Sequence, residues 1–113
     1  MPIEIVHFIL LAVLGPANYH KGIEFLKTVH GVPSLIQLLD TILAANRFGI
    51  LVKIDSDLIL KGMDELRRVL DQGVESNRNL TEQQIMAYKS GNAWFVNECY
   101  TNLMARCVVL RDQ

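Results

Sequence analysis

Two apolar stripes at helical spacing constrain this chain more than any other feature. Val96, Tyr100, Leu103, Cys107 and Leu110 recur at 4-3-4-3 spacing, and Ile59, Met63, Leu66 and Leu70 at 4-3-4. Side chains three and four residues apart stack on one face of a helix, so each set forms an apolar stripe. Neither set alternates as a half-buried strand would. The stripes predict a helix over about Asp57 to Gln72, with Ser56 as N-cap and Gly73 as its stop. They predict another from Asn92, as N-cap, to about Leu110. Just upstream, Thr81-Glu82-Gln83-Gln84 fits a capping box with Thr81 at the N-cap. It predicts a short helix to about Ser90, closed by Gly91.

The first half of the chain reads as helical too. Ile3 to Leu14 is apolar on nearly every side, which predicts a buried helix opened by Pro2 and ended by Gly15-Pro16. Asn18 is placed to cap a helix over about Tyr19 to His30, and Gly31-Val32-Pro33 is a stop signal. Ser34 is then expected to cap a central helix to about Asn46, with a narrow polar stripe of Gln37, Asp40 and Thr41. Gly49 to Ile54 can be read as a strand, and Val108-Val109-Leu110 is the one mate available to it. The fold expected is therefore all-α, a compact bundle of five to six helices in one domain over 1–113. The alternative is α+β with a small two-stranded sheet.

Composition limits the function classes. Half of the 113 residues are apolar and a fifth are charged, which excludes a disordered chain. The apolar share is slightly above the globular norm, as an apolar surface kept for a partner would make it. The net charge of −1 offers no basic surplus to attract nucleic acid or an anionic membrane. Ile3 to Leu14 is too short to span a bilayer, and its Glu4 and His7 without Lys or Arg make a poor secretion signal. A cytoplasmic protein without membrane contact is expected. Cys99 and Cys107 would lie roughly 12 Å apart along one helix, too far to bridge each other.

The residues that could carry chemistry do not assemble into a known device. His7, His20 and His30 share no metal-ligand spacing, so no metal or cofactor is expected. Glu24 stands four residues after His20, as an orienting partner would, but a surface pair or a helix start is the favoured reading. Nucleotide-binding and nucleophile-elbow motifs are missing. Glu98 beside Cys99 opposes a thiolate. Asp64 and Arg68 are spaced as an outer i,i+4 pair.

Gln83 to Met104 has the outline of a helix-turn-helix, with its turn at Ser90-Gly91. Its second helix carries no Lys or Arg before Arg106, so phosphate anchoring would be poor, and nucleic acid is the weaker choice of partner. The function favoured is a non-catalytic protein–protein interaction module: an adaptor, an inhibitor or immunity-type protein, or an assembly factor. Its partner is another protein or a second copy of the chain. A DNA-binding regulator using 83–104 stands second and a small helical enzyme third. The candidate contact residues are Phe8 and Leu11 on the apolar first helix, the adjacent aromatics Trp94 and Phe95, and the basic pair Arg67 and Arg68.

Overall fold

The computed structural model describes residues 3–29, 31–49 and 56–111, and the side chains of these except 42–49, 56, 58 and 106–111. Five helices follow one another: α1 (Ile3–Leu14), α2 (Tyr19–Leu26), α3 (Val32–Gly49), α4 (Ser56–Glu75) and α5 (Glu82–Arg111). The described residues contain no strand, and the chain is an all-α bundle. Val108 to Leu110 belongs to α5, so the two-stranded alternative loses its second strand. Most of its first strand, and His30, lie outside the described residues.

The most extensive pairing joins α4 to α5. They are antiparallel, since Glu75 faces Lys89 and Asp71 faces Asn92. The α4 stripe is buried as expected: Ile59, Met63, Leu66 and Leu70 are all core residues. On α5 the buried line is Asn92, Phe95, Val96, Cys99 and Leu103. The core face is thus turned slightly from the stripe read in the sequence, and Tyr100 is only half-buried. The helix starts on the capping box: the Thr81 amide donates to Gln84 Oε1 at 2.9 Å, and the Gln84 amide donates to Thr81 Oγ1 at 3.2 Å.

Two expected breaks and one expected helix start are corrected. Gly91 does not divide α5, which runs unbroken for 30 residues, so 83–104 has no turn and is not a helix-turn-helix. A glycine costs a helix only about 1 kcal/mol, and burial of the stripe on both sides of it outweighs that. Nor does Gly73 stop α4, which continues to Glu75. Pro33 lies in the first turn of α3, where its missing N–H costs nothing. That helix begins on the Gly31 carbonyl, which accepts from the Leu35 amide at 3.2 Å, and not at Ser34.

Helices α1 to α3 close over the α4–α5 pair. Leu10 and Val13 of α1 are fully buried, as are Ile36 and Leu39 of α3. Gly15 turns the chain out of α1 with a φ of 81°, a conformation suited to glycine. Asn102 Nδ2 donates to the Ala12 and Val13 carbonyls at 3.2 and 3.0 Å, tying the end of α1 to α5. Asn18 precedes α2 but makes no side-chain cap; its Nδ2 donates to Glu98 Oε2 at 2.8 Å instead. Helix α2 stops at Leu26, short of His30, through i,i+3 bonds from Lys27 and Thr28.

Two glycine substitutions should shift stability in opposite directions. A Cβ on Gly91 would sit 3.7 Å from the Phe25 ring, an ordinary contact, so Gly91→Ala should stabilise by about 1 kcal/mol. A Cβ on Gly22 would overlap Leu14 Cδ1 in the buried α1–α2 contact, so Gly22→Ala should destabilise by about 1 kcal/mol or more. Urea unfolding of the two variants beside the parent measures both.

Candidate functional site

The first candidate surface is the outer side of α1. Its inner side, Ile9, Leu10, Val13 and Leu14, is buried, but Ile3, Ile5, Phe8 and Leu11 are 66, 48, 58 and 46 % exposed. The expectation that this helix is buried all round is therefore corrected: it packs on one side only. Ile5, Phe8 and Leu11 follow i,i+3 spacing and form a ridge winding round the outer face. Glu4 is the single Asp, Glu, Lys or Arg on the helix. On its flank, the Tyr19 hydroxyl hydrogen-bonds His7 Nδ1, with the rings edge-on.

The second is a cleft of about 490 Å³ at the other end of α4 and α5. Val29 and Gly31 from the α2–α3 corner, Leu35 and Leu38 of α3, and Leu66 and Leu70 of α4 build its walls. The α4–α5 loop closes one side with Asn77 and Leu80. An Asx turn shapes that loop: the Asn79 amide donates to Asn77 Oδ1 at 3.1 Å. Asn92, the one buried polar side chain among the described residues, also lines the cleft. Its Nδ2 donates to Asp71 Oδ1 at 3.0 Å, and Asp71 Oδ2 accepts from Arg67 Nε at 2.9 Å. Sequence spacing had suggested Asn92 as an N-cap. A better signal was available: Asn92 lies four residues before Val96, a polar residue on a core stripe.

A shallower aromatic groove lies between α2 and α5. Phe25 stacks on Phe95 with ring centres 4.4 Å apart, and Lys21 Nζ stands 4.2 Å from the Trp94 ring centre. Tyr88 and Thr28 border both this groove and the cleft.

The six residues singled out by sequence do not converge on one site. Phe8 and Leu11 share the α1 ridge. Trp94 is half-buried under Lys21, whereas Phe95 is fully buried and therefore packs the core instead of meeting a partner. Arg67 is held by Asp71. Arg68 pairs with Glu65 at 2.5 Å and reaches Gln72, leaving the expected Asp64 pairing unmade. Glu65 binds both Nε and an outer nitrogen of that guanidinium, a fork that an i,i+3 carboxylate can complete. This hydrogen bonding lowers the Glu65 carboxyl from its usual value and raises Arg68. Glu24, placed four after His20, pairs with Lys27 at 2.9 Å.

Three or more potential metal ligands do not group anywhere among the described residues. No described helix is long and apolar enough to cross a membrane. Comparison with family models, with curated proteins and with solved structures finds no match.

Burial pushes the Cys99 thiol well above its ordinary range, and the neighbouring Glu98 carboxylate adds in the same direction. The folded chain thus keeps a proton that the unfolded chain loses above a pKa of about 8.5. Stability from this residue is complete below that value and falls as pH rises through it. Between pH 7 and 9.5 the loss should reach about 1 kcal/mol, read as the parent's fall in urea-derived stability minus that of Cys99→Ala.

Proposed function

We propose that the protein is a non-catalytic protein–protein interaction module that associates with a second copy of itself through the outer ridge of α1. The exposure of Ile5, Phe8 and Leu11 at one-turn spacing carries this proposal. Burying such a ridge is favourable at roughly 25 cal/mol per Å² of apolar surface removed from water. A second copy suits the ridge by symmetry. In an antiparallel two-fold pairing the middle residue meets itself, so Phe8 faces Phe8 and Ile5 faces Leu11. The net charge is −1, and although Glu4 stands one turn before Phe8, an antiparallel pairing centred on Phe8 sets the two Glu4 residues at opposite ends of the seam, roughly 12 Å apart along it.

The test is sedimentation equilibrium across the micromolar range. The parent chain should sediment as a dimer. Leu11→Glu, at a position 46 % exposed and with its folding checked by urea unfolding, sets two carboxylates against the apolar seam and should weaken the dimer at least a hundredfold. A parent chain that stays monomeric at high micromolar concentration, or a Leu11→Glu chain that dimerises equally well, overturns the proposal.

A further inference from the structure

We infer that the cleft between α3, α4 and the start of α5 binds a neutral, mostly apolar small molecule carrying one hydrogen-bond donor, held by Asn92. The cleft's volume of about 490 Å³ falls within the range of small-molecule sites. Its walls are largely aliphatic, from Val29, Leu35, Leu38, Leu70, Val74 and Leu80; Thr28, Ser34, Gln72 and Ser76 are exposed polar residues at its edge, Asn77 and Tyr88 are half-buried, and Asn92 is the buried polar group. Among the described residues that line it there is no Asp, Glu, Lys, Arg or His. A charged ligand would lose its hydration there without gaining a counter-charge from these residues, which suit a neutral ligand.

Asn92 supplies the specificity. It is 3 % exposed and its orientation is fixed, because only Nδ2 can donate to Asp71, and Asp71 is itself held by Arg67. Oδ1 accepts no hydrogen bond from the described residues. No sealed side-chain nitrogen or oxygen among those residues lacks a partner, so Oδ1 reaches open space. The cleft is the described cavity that Asn92 lines, and we take Oδ1 to face it. An immobile acceptor in an apolar wall selects a hydroxyl or amide N–H on the ligand. A ligand without that donor leaves the carbonyl unpaired. No residue of α1 lines the cleft, so this site is independent of the self-association proposed above.

Two neutral probes that differ by the donor test the inference: 2-naphthol, and 2-methoxynaphthalene, which has none. Each is titrated into the 15N-labelled chain at pH 7. Amide shifts should centre on Val29, Leu38, Val74 and Asn92, with the Asn92 side-chain amide among those that move. Binding of 2-naphthol should be roughly tenfold tighter than that of 2-methoxynaphthalene, the effect of one buried hydrogen bond. In Asn92→Leu the preference should vanish. If that variant does not fold, the preference of the parent chain and the movement of its Asn92 side-chain amide decide the matter. Equal affinity for the two probes, shifts centred on Ile5 and Leu11, scattered shifts or none would each overturn the inference.

Discussion

The antiparallel packing of α4 on α5 is the constraint from which the rest of the fold follows. Ile59, Met63, Leu66 and Leu70 form one wall, and Phe95, Val96, Cys99 and Leu103 the other. Both helices are longer than any α1 or α2 contact requires, and α5 alone spans roughly 45 Å of the molecule's 49 Å length. The shorter helices fit onto this frame at fixed points. Asn102 holds the end of α1, Glu98 holds Asn18 ahead of α2, and Phe95 receives Phe25. These three α5 residues follow one another at three- and four-residue spacing, so one helix surface positions the whole first third of the chain.

The fold was legible where pattern and burial agree. The α4 stripe and the Thr81–Gln84 capping box are in the structure as the spacing predicts. Glycine and proline were read too strongly as punctuation. Gly73 and Gly91 lie inside helices because neither has a positive φ, and the packed stripes around them hold the backbone helical. Gly15 and Gly31, with φ of 81° and 77°, are the true breaks, and a proline one or two residues further on marks both, whereas none follows Gly73 or Gly91. The α1 run was misjudged because an all-apolar helix carries no record of which side is covered. That depends on where α2, α3 and α5 pack, the last contributed from some 90 residues further on.

The two candidate surfaces are of opposite kinds. The α1 ridge is convex and made of side chains that project from one helix, so its contents could be read from sequence. The cleft is concave and assembled from residues within 28–38, 66–80 and 88–92, the first stretch far from the other two in sequence. Its anchor, Asn92, stands among apolar residues on α5, and its meaning depends on Asp71 of the neighbouring helix. A polar residue on a core stripe therefore carries information, but only the packing shows whether it caps a helix, braces a neighbour or faces a cavity.

The Asn102 clasp also bears on the order in which the chain folds. Closing α4 onto α5 takes a connection of about six residues, which costs little loop entropy. Its contacts bridge 89 and 90 residues of sequence, so the seam between α1 and α5 can close only after most of the chain is in place. Helices α2 and α3, which follow directly in sequence, contact α1 as well and can cover part of its core side earlier. The part of that side which α5 covers stays open to other chains until α5 is available. A single asparagine, reaching back across the fold to two carbonyls, marks the point at which that part is closed.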